Sequence, residues 1–241
     1  MRFVNTNLDS YLKKSYELIG KKIYKRNSLS LKSLRSSINL FTKKSLILKK
    51  PKPIDLEVYG LVSGLPFSKS TINSINNISS KIQNILKKKI CYWVKPYNLA
   101  VEYCVFKWPL DPWNSKWLDQ IINFLKSSDY SSFDLHIEGI QLHADGCIIA
   151  KGYDGGFIRK IRSNILTNLS FVPKKQSNWA HIPIARILEP ISGDLFSELK
   201  ELIAKHSNTK IGKETISQAY FVHESRWYME KKKILYVKKF F

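Results

Sequence analysis

The chain has 241 residues, 44% of them hydrophobic and 12% aromatic, and its 40 Lys+Arg against 19 Asp+Glu give a net charge of +21. That composition argues against global disorder, and no apolar run approaches the ~18 residues that a membrane-spanning helix needs. Three cysteines at no metal-ligand spacing indicate neither a disulfide framework nor a zinc site, and make a reducing, cytoplasmic compartment the default.

Residues 1–7 lack the apolar core of a secretory leader. Residues 1–50 carry 13 basic and 2 acidic side chains, about half of the excess charge. Leu8, Leu12, Ile19 and Ile23 recur near helical spacing among lysines, and Pro51-Lys52-Pro53 closes the segment. A basic, mostly helical extension is therefore expected over residues 1–52. Three roles compete for it: packing on the remainder, binding a polyanion, and targeting or attachment at a membrane surface. Its Ser-rich, acid-poor character suits organelle targeting, whereas its preference for Lys over Arg does not.

From residue 53 to 241 the chain alternates strand and helix. Strand alternation covers 55–63, and isoleucines at helical spacing from Ile72 to Ile85 predict a helix over 70–88. A strand over 99–107 and a helix over 113–126 follow. Two strands, 133–142 and 147–151, form a hairpin through His143-Ala144-Asp145-Gly146, where Asp-Gly is a strong turn signal. A helix over 157–169, a strand over 179–188, a helix over 194–206 and strands over 216–224 and 234–238 complete the domain. An antiparallel hairpin among mixed elements indicates an α+β fold.

Two strand–helix segments echo each other. Leu99-Ala100-Val101-Glu102 opens the first strand, and Ala180-His181-Ile182-Pro183-Ile184-Ala185-Arg186 opens the second. Ala100 precedes Pro109 by nine residues, as His181 precedes Pro190, and a helix follows each strand. This arrangement suggests two lobes related by a pseudo-twofold, each lending one strand to a central cleft.

On these residues the chain resembles the two-histidine (2H) phosphoesterase superfamily, which includes 2′-5′ RNA ligase-like proteins and cyclic phosphodiesterases. The resemblance spans roughly residues 55–240 in element order. Residues 180–186 are similar to the family's second motif, His-x-Thr/Ser-apolar-x-Arg. It implies a two-lobed α+β fold and action on 2′,3′-cyclic phosphates, in which one imidazole takes a proton from water and the other supplies one to the leaving oxygen. General acid–base catalysis of that kind contributes about 10²–10⁴-fold. Here, however, the first histidine position is Ala100, and the two hydroxyl positions are Glu102 and Pro183. Only His181 remains of the four groups, and Glu102 places a carboxylate where the family seats an anion.

The expectation is a 2H-like protein with an eroded active site, a pseudoenzyme that binds RNA or a nucleotide-type phosphate without a cofactor or metal. Its candidate catalytic residues are His181 and Glu102. Arg226, Trp227 and Tyr228 at a strand end suit a phosphate and a stacked base, and Lys107 lies among strand aromatics. Two alternatives stay open: an active phosphodiesterase pairing His181 with Glu102, and a basic scaffold that docks a polyanion through its arm. His136 and Glu138 share a strand face with no third ligand in view, and Gly152-Tyr153-Asp154-Gly155-Gly156 reads as an ordinary turn before a helix.

Overall fold

The computed structural model describes residues 6–241. Residues 1–5, part of the stretch read above as lacking a leader core, lie outside the described residues. The elements run α1 (Thr6–Tyr24), β1 (Ser28–Leu29), α2 (Leu31–Ile38), α3 (Lys43–Ile47), β2 (Asp55–Gly64), α4 (Lys69–Ile85), β3 (Cys91–Trp93), β4 (Ala100–Lys107) and α5 (Lys116–Ser127). They continue with β5 (Phe133–Leu142), β6 (Cys147–Tyr153), α6 (Phe157–Asn168), β7 (Ala180–Ile187), β8 (Ile191–Ser192), α7 (Gly193–Lys205), β9 (Lys210–Ile216), β10 (Gln218–Arg226) and β11 (Lys231–Lys239). The fold is α+β, with seven α-helices among the described residues. None of these helices is long and apolar enough to cross a membrane.

The strands form two antiparallel sheets, ordered β11-β10-β2-β4 and β3-β7-β6-β5-β9, and a small pair, β1-β8. The β5–β6 hairpin turns at Gly146, whose φ of 85° favours glycine, and the Asp145 carboxylate accepts the Cys147 amide at 3.1 Å. Helices α4 and α7 pack against the five-stranded sheet, whereas α5 and α6 pack against the four-stranded one. Each sheet is thus covered by one helix from each half of the repeated strand–helix pattern. One apolar core runs between them: Ile75 and Ile82 of α4, Ile121 and Leu125 of α5, Ile161 and Ile165 of α6 and Leu199 of α7 all belong to it. Their spacing gives each helix a single apolar stripe, which is what fixes the face it buries.

The N-terminal extension is built into this body. Ser30 caps α2, its side chain accepting the Ser33 amide at 3.3 Å. Leu29 and Leu34 are fully buried in the main core, and β1 pairs with β8 through Ser28–Ser192 and Leu29–Ile191. Along α1, Leu12 and Tyr16 cluster with Cys147, Ile149 and Tyr153 on β6. The lysines of the same helices occupy the outer faces, so one amphipathic pattern both anchors the arm and leaves its charge in water.

Candidate functional site

The two sheets meet where β4 lies against β7 without ladder hydrogen bonds between them. Side chains at i and i+2 of a strand share a face, and that period brings Ala100 and Glu102 of β4 and His181 and Pro183 of β7 into one cleft of about 410 Å³. The hairpin turn between β10 and β11 closes one wall with Trp227, Tyr228 and Met229, and Ser36 and Leu40 of the extension line another part. Strand β10 adds a residue that the sequence reading missed. Glu224 stands opposite Val58 and Glu102 opposite Val62 across β2, so both carboxyls emerge on the same face.

The turn is held against its own preference. Tyr228 and Met229 have φ of 62° and 55°, a region that costs a residue with a Cβ roughly 1–2 kcal/mol. Three contacts offset that cost. The Met229 amide donates to the Glu224 carboxylate at 2.8 Å, and the Tyr228 ring lies 4.9 Å from Tyr92 and 6.0 Å from Phe41. These contacts fix Tyr228 and Met229 over the cleft.

Arg186, five residues beyond His181, is anchored from two directions. Its Nη1 donates to Asp145 Oδ2 at 2.5 Å and to Ser37 Oγ at 2.7 Å. The β5–β6 turn and α2 of the extension thereby both hold Arg186. Around the cleft, Asn98 Nδ2 and His181 Nδ1 are buried without a hydrogen-bond partner. Asn98 spends its carbonyl on Lys232 Nζ at 2.7 Å, which leaves the amide nitrogen over. An unsatisfied buried group costs about 1–3 kcal/mol. The Arg186 guanidinium also acts on the Tyr228 hydroxyl, so the atoms left over among the residues lining the cleft are Asn98 Nδ2 and His181 Nδ1.

Burial sets the protonation states. It pushes the Glu102 carboxyl up to about 7, against the pull of Arg162. Burial likewise raises Glu224 to about 7, with Glu102 adding repulsion and the Met229 amide opposing it. The His181 imidazole is lowered to about 4 by burial, helped by His143, Arg186 and Arg162. Near neutral pH the cleft therefore holds a neutral imidazole and two carboxyls close to half protonation.

No family model and no curated protein matches the chain. Two solved structures share its fold. TT0787 of Thermus thermophilus is 11% identical with a TM-score of 0.51, covering 76% of this chain and 97% of that one. The conserved protein of unknown function ATU0111 from Agrobacterium tumefaciens str. C58 is also 11% identical, with a TM-score of 0.58 over 78% of this chain and 88% of that one. At such identity the likeness is one of fold.

Four of the six residues singled out from sequence, His181, Glu102, Trp227 and Tyr228, line the cleft. Arg226 and Lys107 do not. The register shifts between Glu224 and Arg226, so Arg226 turns away from the Glu224 face and its Nη2 pairs with Asp55 Oδ1 at 2.7 Å. Lys107 sits on the opposite face of β4, with its Nζ 3.0 Å from Glu57 Oε2. Among the described residues no three His, Cys, Asp or Glu side chains gather as a metal site. Chemically the cleft offers one weak base at His181, two near-neutral carboxyls that donate or accept, and an anchored guanidinium.

Proposed function

We propose that the protein is a 2H-phosphoesterase-like binding protein, two-lobed about a pseudo-twofold, whose eroded cleft holds a nucleotide-type ligand or an RNA end without hydrolysing it. The observation that carries this reading is the meeting of β4 and β7, with Ala100, Glu102, His181 and Pro183 lining one cleft. The covering of each sheet by one helix from each half supports the two-lobed part. The loss of function follows from chemistry: Ala100 exchanges no proton, and Pro183 offers neither hydroxyl nor N–H.

The lining also favours part of the ligand over the rest. Two carboxyls disfavour a phosphate dianion beside them, whereas Glu102, Asn98 and Tyr228 present donors and acceptors that suit a base edge or ribose hydroxyls. Trp227 and Tyr228 supply ring surface. Incubation with a 2′,3′-cyclic nucleotide is expected to give no turnover, while nucleotides or short RNAs bind and Tyr228→Phe weakens them several-fold. A Tyr228→Phe variant that binds as the parent does would remove the cleft from the reading.

One observation favours a second reading, an active phosphodiesterase. A carboxyl held at about 7 is a competent proton donor at neutral pH, and Glu102 faces the same cleft as His181. Turnover of the cyclic nucleotide that disappears in both His181→Ala and Glu102→Gln would establish it and displace the first.

A further inference from the structure

The cleft is lined by three acidic side chains, Glu102, Asp145 and Glu224, and so leaves the positive charge of the chain without an anion to meet. A second pocket, about 350 Å³ in volume, opens between α1, one side of α6 and residues 174–180. Its charged lining is Arg159, Arg162, Lys174, Lys175 and Asp154. We propose that this pocket binds a phosphate group, with Arg162 at its base and Arg159, Lys174 and Lys175 around its mouth.

Arg162 makes the strongest argument. It is only 7% exposed, its Nε donates to the Tyr103 carbonyl at 2.6 Å, and its Nη2 is buried without a partner. A buried guanidinium with donors to spare is costly unless an anion completes it, and its fork geometry matches phosphate oxygens. The nearby acids do not fill that role: Glu102 feels the pull of Arg162, yet among the described residues no carboxylate forms an ion pair with that guanidinium. Asp154 gives its carboxylate to the Gly156 amide at 3.3 Å and the Ile158 amide at 2.5 Å, and Asp9 of α1 accepts the Gly155 amide at 3.1 Å. The 152–156 turn is therefore closed by Asp154 and by Asp9 of α1, and any anion must be held by the side chains. Among the described residues neither Arg159, Lys174 nor Lys175 belongs to an ion pair.

The two lysines are held on a fixed backbone. Gln176 completes both bonds of a strand partner to Val105, accepting its amide at 2.9 Å and donating to its carbonyl at 2.8 Å. The Trp108 indole donates to the Lys175 carbonyl at 3.0 Å. The same segment puts Ser177 into the cleft and Gln176 and Asn178 into the pocket, so the two openings share one wall. Phosphate could arrive as the free ion, as the terminal group of a nucleotide or RNA, or as a backbone diester.

The test uses the full chain and three probes: inorganic phosphate, a short 5′-phosphorylated RNA and the same RNA with a 5′-hydroxyl. The triple variant Arg159→Ala, Lys174→Ala, Lys175→Ala removes exposed side chains only. Lys43→Ala, Lys44→Ala, Lys233→Ala removes the same charge elsewhere. The pocket variant is expected to bind about 10-fold or more weakly, and the control within about 3-fold of the parent. Selectivity for the 5′-phosphorylated RNA that vanishes in the pocket variant assigns the terminal group. Equal binding of both RNAs, lost in that variant, assigns the backbone diester, and loss confined to inorganic phosphate assigns the free ion. Equal losses in the two triple variants, or no binding of any probe by the parent, would overturn the proposal. It does not depend on the cleft: Tyr228→Phe, which tests the cleft reading, is expected to leave inorganic phosphate binding unchanged.

Discussion

Glu102 and Glu224 sit in the same cleft with pKa values near 7, against an ordinary 4.5. The folded chain thus holds protons on them that the unfolded chain has released, over the window from about 4.5 to 7. The stability they permit is full below about pH 4.5 and is lost as pH rises through 7. His181 runs in the opposite sense: lowered to about 4 from 6.5, it favours the fold above about 6.5 and ceases to as pH falls through 4. Glu224→Gln keeps an acceptor for the Met229 amide and removes one ionisation. Thermal unfolding is expected to place this variant near the parent at pH 5 and above it at pH 8, by an amount on the order of 2 kcal/mol. Equal offsets at both pH values would mean that the carboxyl titrates as an exposed one does. The residue scale is also where the sequence was least informative. His181 and Glu102 were visible because strand period and the nine-residue spacing to a proline are local signals. Glu224 was not: its place in the cleft depends on β10 pairing with a strand over 160 residues earlier, Val58 of β2. The bulge that turns Arg226 toward Asp55 leaves no mark in the sequence either, since a charged residue two positions after Glu224 looks like a neighbour on the same face.

At the scale of elements, the helices and the longer strands were legible because their apolar residues keep a period, as Ile75, Ile78 and Ile82 do on α4. Strand β9 escaped because its sequence, Lys210-Ile211-Gly212-Lys213-Glu214-Thr215-Ile216, is mostly polar, and it lies at a sheet edge with only Ile211 and Ile216 buried. The extension was readable as helical and basic, but its attachment was not. Charge was its dominant signal, whereas what places it is a handful of apolar residues and the Ser37–Arg186 contact. Because Leu29 and Leu34 are fully buried in the shared core, the arm cannot be treated as a detachable tail. Leu34→Ala is expected to cost about 2–4 kcal/mol in denaturant unfolding, a loss typical of a core leucine. A cost under about 1 kcal/mol would show that the extension packs only loosely on the body. The same contact has a consequence for the cleft, since Ser37 holds the arginine that stands beside Tyr228. Loss of the arm would loosen that wall as well as the core.

Taken over the whole molecule, a net charge of +21 can act in two ways: as a diffuse field that draws in any polyanion, or through a few cations at a defined place. The structure separates these by position. The lysines of α1 to α3 lie on outer faces, the cleft is comparatively acidic, and Arg159, Arg162, Lys174 and Lys175 surround one pocket. Salt dependence distinguishes the two modes, because each phosphate neutralised on a single strand contributes a slope of about −0.7 in log K against log salt. One phosphate held by the four cations together contributes about −0.7, and the triple pocket variant, retaining Arg162 alone, is expected to lose most of that contribution. Removing Lys43, Lys44 and Lys233 instead is expected to leave the slope near its parental value. If both triple variants flatten the slope alike, the field of the entire surface governs binding and the pocket has no special standing. If the slope is near zero in the parent, RNA is not held through its phosphates, and the acidic, hydrogen-bonding cleft is left as the part of the molecule that selects its ligand.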